Sequence, residues 1–256
     1  MASLKKFLAK LWLWILLLVI LVSAAAKVGP TALAPQKFSD FTTPTPIPEG
    51  DTLIIGFLGG WEKWDEPTRG VRKFALRLRA KNLPGVHIET VENHRREIAL
   101  ELVRKAFDHN GDGKLSEEEA RSARLIVFGQ SFGGAAVNKL CKELRPLGVP
   151  VLLAVQIDSV GVDDAEVPSN VRRAVNFFQR DDYFFIRGER ELRAEDAAQT
   201  EILGNYQYKY RGKKVDLSDG RWYQKIFRNA HVKMEQDPDV WAKVEELISA
   251  EIQEQK

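Results

Sequence analysis

From residue 51 onward, short apolar segments alternate with segments of helical spacing, and this alternation constrains the fold more than any other feature. The segments 51–57 (DTLIIGF), 124–129 (RLIVFG) and 149–158 (VPVLLAVQID) have the length and composition of buried strands. Between them, 68–82 and 95–107 carry apolar residues at intervals of three and four, as amphipathic helices do. Strands separated by helices join through crossovers. We therefore expect an α/β fold of three layers, with a mostly parallel sheet covered by helices on both faces.

The first 26 residues carry a different signal, with lysines before an uncharged apolar segment. Lys5, Lys6 and Lys10 precede residues 11–26, which end in an Ala-x-Ala pattern typical of a secretory signal peptide. A membrane anchor is the alternative, because a hydrophobic helix flanked by lysines can hold a chain at the membrane. Either hypothesis predicts an extracytoplasmic protein that is periplasmic, secreted or anchored, and an anchor would make the membrane a partner.

Residues 27–50 contain five prolines and no periodic apolar pattern, so we expect a linker ahead of one domain over residues 51–256. The chain of 256 residues is 44% hydrophobic, which suffices for one such domain with a full core. Its 38 basic and 36 acidic residues give a net charge of +2, and this balance does not indicate a nucleic-acid partner. Composition leaves the oligomeric state open.

The segment LIVFGQSFGG (125–134) places a serine between an apolar strand and a helix. It contains Gly129-x-Ser131-x-Gly133. In this context the pattern is typical of the sharp turn that presents a nucleophilic serine at the carboxyl end of a strand. We therefore expect Ser131 to be a nucleophile.

A serine nucleophile requires an oxyanion hole, which consists of backbone N–H groups aimed at the developing charge. We expect one donor to be Phe132, directly after the serine. The other is expected in the loop after the first strand, GFLGGW (56–61), at Leu58 or Gly59.

The general base is expected to be one of the four histidines. His87 falls within a predicted strand, His94 just after it, and His109 within a polar loop. His231 follows every predicted strand and lies in an expected loop before the last helix, which matches the chain order of serine, acid and histidine. We therefore expect His231 to be the base.

The acid that orients this histidine should follow a strand on the same edge of the sheet. Asp158 ends the segment 149–158, and Asp181 and Asp182 follow the next predicted strand. Position alone leaves Asp158 and Asp181 open as the acid, because aspartates after strands are also common turn residues.

Four segments together resemble the α/β-hydrolase superfamily, in particular small bacterial esterases, lipases and thioesterases. They are GFLGGW (56–61), FGQSFGG (128–134), IDSVG (157–161) and AHVKMEQDP (230–238), and the resemblance covers about residues 51–252. It implies a serine hydrolase that cleaves a carboxylic ester or thioester of a small molecule or lipid. It favours Asp158 over Asp181 as the acid. The chain departs from the family pattern because no His-Gly motif follows the first strand.

The segment DHNGDGKLSEEE (108–119) matches the EF-hand calcium loop at each constrained position, within an expected insert over residues 97–123. Its oxygen donors suit Ca²⁺ rather than zinc or copper. The predicted ligands are Asp108, Asn110, Asp112, the carbonyl of Lys114, Ser116 and Glu119. The loop lies before the strand of Ser131, roughly 17 Å from the serine, so the ion is expected to be structural. A non-catalytic calcium-binding module on a hydrolase scaffold is the alternative function.

Overall fold

The computed structural model describes residues 34–162, 164–182, 187–226 and 228–254. The predicted signal peptide or anchor over residues 1–26 lies outside them. Within the described ranges, no helix is both long enough and apolar enough to cross a membrane. The chain divides into two compact units, Met1–Pro35 and Gln36–Lys256, and every element described below belongs to the second.

The described residues of this unit form eight strands and seven α-helices; α-helices separate the first four strands, and three α-helices follow the last strand. The strands are β1 (Thr52–Leu58), β2 (Val86–Glu92), β3 (Arg124–Gln130), β4 (Val151–Ile157), β5 (Glu166–Val167), β6 (Val171–Gln179), β7 (Arg193–Ala194) and β8 (Glu201–Tyr208). The helices are α1 (Gly70–Ala80), α2 (Arg96–Phe107), α3 (Glu117–Ser122), α4 (Phe132–Leu144), α5 (Trp222–Ile226), α6 (Ala230–Gln236) and α7 (Pro238–Glu254). Two 3-10 helices, Phe38–Asp40 and Arg145–Leu147, complete the set.

Six strands form one sheet in the order β2-β1-β3-β4-β6-β8, and every neighbouring pair in it is parallel. The short strands β5 and β7 pair with each other, also in parallel. This arrangement confirms the predicted α/β class with a mostly parallel sheet. It brings the carboxyl ends of all six strands to one edge, where the loops that follow them meet.

Helices pack on both faces of the sheet, because successive strand residues point in opposite directions. Leu53 and Ile55 of β1 belong to a buried cluster that includes α2 and α4. Ile54 and Leu58 belong to a second cluster that includes α1 and α7. Packing of the two clusters against the sheet holds the strands in position, and with them the carboxyl edge.

Residues 36–50 belong to the second unit, whereas the proline content of residues 27–50 predicts a linker. The side-chain amide of Gln36 donates to the carbonyl of Thr90 at 2.9 Å and accepts from the N–H of Glu92 at 3.1 Å. These bonds satisfy backbone groups along β2, an edge strand of the sheet. Ile47 is buried in the core cluster of α2, which anchors the segment further.

The last strand of the sheet differs from the sequence-based expectation. The sequence NYQYKYRGKKVDL (205–217), with Gly212 near a possible turn, favours a hairpin, and this interpretation is wrong. Glu201–Tyr208 instead runs parallel to β6 as the last strand of the sheet. The strand is half exposed and contains few aliphatic residues, which is why its apolar pattern is weak.

Candidate active site

Ser131 stands on a strained turn between β3 and α4. Its backbone angles are φ 58° and ψ −127°, a combination that L-residues with a side chain rarely adopt. A Cβ at Gly129 would overlap the carbonyl of Gly133, and a Cβ at Gly133 would overlap the carbonyl of Phe57. Glycine is therefore required at both positions of the predicted motif. The Ser131 hydroxyl does not cap α4, so it is not committed to holding the helix.

The turn lies at the point where the strand order of the sheet reverses. From β1 the chain crosses to β2 on one side, and it then returns to β3 on the other side of β1. The crevice outside such a switch point is where open α/β sheets bind ligands. A Cβ placed on Gly59, directly after β1, would lie 3.1 Å from the Cβ of Ser131. The predicted oxyanion loop and the predicted nucleophile are thus neighbours.

Asp158 and His231 are brought together by the fold. Asp158 Oδ2 lies 2.6 Å from His231 Nδ1. The carboxylate is fully buried, at the carboxyl end of β4. It also accepts hydrogen bonds from the N–H of Gly188 at 2.9 Å and from the side-chain amide of Gln179 at 3.0 Å. The backbone N–H of Gln179 is a further donor at 3.5 Å, and together these donors fix the orientation of the carboxylate, so its interaction with the imidazole is directional.

His231 is the second residue of helix α6, and the expectation of a loop is corrected here. The helix begins after Asn229, whose side chain accepts a hydrogen bond from the N–H of Val232 at 2.8 Å. The backbone N–H of His231 donates to Asp182 Oδ2 at 2.6 Å. The imidazole is therefore fixed by its helix and by Asp182 as well as by Asp158.

The environment of His231 changes its pKa through opposing effects. Burial by itself lowers the pKa. The hydrogen bond and the charge of Asp158 raise it, as do the charges of Glu235 and Asp182, and the net result is a pKa above the ordinary value. With its Nδ1 proton donated to Asp158, a neutral His231 presents the Nε2 lone pair as a proton acceptor.

Two glutamines belong to the site although the sequence analysis did not select them. Gln130 precedes the serine, and its Nε2 lies 3.2 Å from His231 Nε2, so this side of the ring faces the side chain next to Ser131 in the sequence. Gln179 accepts the N–H groups of Asp181 at 2.8 Å and Asp182 at 3.1 Å. Because the side-chain carbonyl of Gln179 accepts these bonds, its NH₂ group is directed toward Asp158. Gln130 fills a variable position of the motif, so only its place next to the serine could have drawn attention to it.

Asp181, the alternative acid, forms no hydrogen bond or ion pair with His231, whose carboxylate partners among the described residues are Asp158 and Asp182. Its carboxylate accepts the N–H groups of Tyr210 at 2.5 Å and Arg211 at 3.1 Å. The bond from Tyr210 contributes most to holding the pKa of Asp181 below its ordinary value. Asp181 therefore orders the turn after β8.

The predicted oxyanion donors stand in different environments. Phe132 is the first residue of α4, where N–H groups have no partner within the helix. The N–H of Gly59 donates to Glu62 Oε2 at 3.2 Å, and Glu62 is in turn paired with the buried Arg69. Leu58 is the last residue of β1. Of the three, Phe132 stands at a helix position whose N–H has no partner within the helix, while the N–H of Gly59 is bonded to a carboxylate.

The predicted metal loop is curled by its own side chains. Asp108 accepts the N–H groups of Gly111 and Gly113, each at 2.9 Å. Asn110 Oδ1 and Asp112 Oδ1 each accept the N–H two residues ahead at 2.8 Å. The turns seat the oxygen donors of residues 108, 110 and 112 along one loop, and the set matches the hard oxygens that Ca²⁺ prefers.

Glu119 faces the backbone of the same loop. Its Oε2 accepts the N–H and the hydroxyl of Ser116 at 2.9 and 2.8 Å, and its Oε1 accepts the N–H of His109 at 2.9 Å. Hydrogen bonds from Ser116 and Asn110 lower the pKa of Glu119 to about 2, so this carboxylate is ionised at neutral pH. Over the described residues, no three His, Cys, Asp or Glu side chains converge as a metal-binding group. The donor chemistry fits calcium, and convergence on an ion would require Glu119 to turn from the backbone.

Comparison with known proteins gives little further information. No family model matches the sequence, and no curated protein matches it. Among solved structures, the chain is similar to RedJ with a PEG molecule bound in the active site, with 13% identity and a TM-score of 0.29. The match covers 53% of this chain and 52% of that chain, about half of each. What is established is an α/β fold with a mostly parallel six-stranded sheet.

Proposed function

We propose that this protein is a serine hydrolase of the α/β-hydrolase type that cleaves a carboxylic ester or thioester. The observation that carries the proposal is the 2.6 Å bond between Asp158 Oδ2 and His231 Nδ1, and it is supported by the 3.2 Å contact of His231 Nε2 with Gln130, the residue before Ser131. Positive φ at Ser131 and the position of the turn at the sheet's switch point support it. Export, or anchoring by residues 1–26, remains part of the proposal on sequence grounds.

The residues define a complete reaction cycle. Ser131 Oγ adds to the substrate carbonyl while its proton passes to His231 Nε2, and Asp158 stabilises the imidazolium. The N–H of Phe132 stabilises the oxyanion. The bond between the acyl carbon and the leaving oxygen or sulfur then breaks, and His231 gives its proton to that atom. Water next attacks the acyl-enzyme and gives a proton to His231. Ser131 leaves with this proton, and the carboxylic acid is released.

A fluorophosphonate probe tests this proposal, because it reacts with a serine only when that serine is activated. We expect labelling of the wild-type protein, no labelling of Ser131→Ala, and strong loss of labelling in His231→Ala. Ser218→Ala is the matched control, since Ser218 is exposed and bonded to Asp216 alone among side chains, and it should label like the wild type. Labelling of Ser131→Ala, or none of folded wild-type protein, would overturn the proposal and favour a non-catalytic calcium-binding module.

We further propose that residues 108–119 bind a structural calcium ion through Asp108, Asn110, Asp112, the carbonyl of Lys114, Ser116 and Glu119. The side-chain oxygens of Asp108, Asn110 and Asp112 support this, because each of them already accepts a backbone N–H of the loop. Helix α3 follows the loop and leads into β3, the strand that carries Ser131. An ion held here would stabilise that connection without taking part in the reaction.

Calcium is expected to raise the melting temperature. With a dissociation constant of about 10⁻⁴–10⁻³ M, as in extracellular modules, 10 mM Ca²⁺ adds roughly 1.4–2.7 kcal/mol of stability. Asp112→Asn is the sharpest variant, because asparagine can still accept the N–H of Lys114 but lacks the charge. Its melting temperature without calcium should match the wild type, while its gain with calcium shrinks. Asp108→Ala should lose the gain. Equal melting curves of the wild type in calcium and in chelator would remove the calcium proposal.

A further inference from the structure

A cavity of about 270 Å³ opens beside the nucleophile turn. Two hydrogen bonds connect it to the candidate active site, one between backbone groups and one from the side-chain amide of Asn93. Val160, in the wall of the cavity, donates its N–H to the carbonyl of Ser131 at 3.2 Å. Asn93, in another wall, donates to the carbonyl of Gly60 in the oxyanion loop. The cavity is therefore bounded by the same turns that place the nucleophile and the oxyanion donor.

The part of the cavity next to the serine is apolar. Ala135 and Ala136 of α4 and Val160 of the loop after β4 line it with small side chains that leave room for a chain. Phe132 at its entrance is 42% exposed and packs edge-on against Trp61, with ring centroids 6.4 Å apart. Exposed aromatic groups at the mouth of a cavity indicate a surface that covers an apolar ligand. An acyl chain leaving Ser131 would meet this surface first.

The far part of the cavity is cationic. Arg96 and Lys139 line it, and no acidic side chain does so among the described residues. Arg96 is neutralised by a bidentate ion pair with Glu143, at 2.7 to 3.0 Å. Lys139 is exposed and makes no ion pair within the part of the chain that the structure describes. Among the described residues, the ammonium group of Lys139 therefore has no ion-pair partner, and it lies beyond the apolar part of the cavity.

We propose that this cavity binds the acyl group of the substrate, and that the acyl chain ends in a carboxylate that pairs with Lys139. The inference rests on the proposed hydrolase function. Lys139 follows Ser131 by eight residues, or roughly 12 Å along a helix. An extended chain advances roughly 1.2 Å per bond, so an acyl group of about eight carbons covers most of this path within reach of the lysine. Hydrolysis breaks the ester bond at Ser131 with water, and the distal carboxylate is unchanged.

The test compares two substrates of equal length, 4-nitrophenyl octanoate and the mono-4-nitrophenyl ester of octanedioic acid. We expect the wild-type protein to show a higher kcat/KM for the octanedioate, and the ratio of the two values to fall in high salt. An exposed ion pair changes binding by up to about fivefold, and charge reversal replaces attraction by repulsion. Lys139→Glu should therefore lower this ratio about tenfold. Lys214→Glu makes the same change of charge at an exposed lysine outside the cavity, and it should keep the ratio.

The outcomes separate this inference from the function on which it rests. Cleavage of both esters with equal kcat/KM, or an unchanged ratio in Lys139→Glu, would overturn the carboxylate-binding inference and leave the hydrolase standing. If neither ester is cleaved and the fluorophosphonate probe does not label Ser131, the proposed function fails and this inference fails with it.

Discussion

Asp158→Asn should lower kcat/KM about 10⁴-fold for any ester that the wild-type protein cleaves. In the wild type, the buried carboxylate accepts the Nδ1 proton of His231 at 2.6 Å, which leaves Nε2 as the acceptor. An asparagine amide at this position favours the opposite tautomer, in which Nε2 carries the proton and cannot take the one from Ser131. Steady-state kinetics with a chromogenic ester measures the loss, and circular dichroism verifies that the variant is folded.

The same substitution should shift the titration of His231 in a defined direction. Burial lowers the pKa of this histidine, but the bond and charge of Asp158 outweigh burial and the folded-state pKa is raised. The base acts only when neutral, so wild-type kcat/KM rises with pH through that raised pKa. In Asp158→Asn the strongest raising contributions are lost, and an NMR titration should find the pKa of His231 at lower pH than in the wild type.

Asp181→Asn is the matched control, because it makes the same chemical change at the aspartate that follows β6. Among the described residues, the carboxylate of Asp181 accepts hydrogen bonds from the backbone N–H groups of Tyr210 and Arg211, and an asparagine carbonyl can still accept them. Its kcat/KM should stay within a few-fold of the wild type. If Asp181→Asn were as damaging as Asp158→Asn, the assignment of the acid would be wrong.

The class of fold could be predicted from the sequence because buried parallel strands leave a strong apolar pattern. β1, β3 and β4 are buried along nearly their whole length, and each appears as a continuous apolar run. β8 was missed because it lies at the edge of the sheet and its residues are half exposed. Residues 36–50 carry no periodic apolar pattern that would predict their position, because separate hydrogen bonds to β2 and the buried side chain of Ile47 hold them in place.

The candidate site was predictable where one backbone geometry demands particular residues. A serine at positive φ between close-packed elements requires the glycines of the motif, so the sharp turn at Ser131 could be predicted from spacing, while its role as nucleophile stays a prediction. The acid could not be found this way, because Asp158 and Asp181 both follow strands on the same edge. The resemblance favours Asp158, and in the structure the carboxylate of Asp158 contacts His231 while that of Asp181 accepts backbone N–H groups.

Side chains that contact the candidate site residues could not be selected from the sequence. Gln179 is recognisable only from its partners, the two backbone N–H groups that fix its carbonyl and the carboxylate of Asp158 that receives its amide. The carboxylate of Glu62 is likewise recognisable only in the structure, because its position beside the N–H of Gly59 depends on the turn after β1. Such residues are selected by the fold, and no motif carries them.

Gly133→Ala should be the most destabilising single methyl addition in the site. A Cβ at this position would overlap the carbonyl of Phe57 and lie 2.8 Å from that of Leu58. Both neighbours are backbone atoms of a central strand, so no side-chain rotation can make room. Overpacking of this kind costs about 3 kcal/mol, which lowers the melting temperature of a domain of this size by about 6–12 °C. The intrinsic preference of a helix for alanine over glycine, about 1 kcal/mol, is too small to compensate.

The same change should also reduce activity, because relief of the overlap moves α4 away from the end of β1 and separates Ser131 from the oxyanion loop. A displacement of about 1 Å at a reacting group can cost about 10²-fold in rate. Gly204→Ala is the control: its Cβ would lie 2.8 Å from the ring of Tyr206, which is 37% exposed and can turn aside. Calorimetry should therefore show a large loss of stability for Gly133→Ala and almost none for Gly204→Ala. A stable, fully active Gly133→Ala protein would mean that α4 does not approach β1 this closely, and the geometry proposed for the oxyanion hole would fall with it.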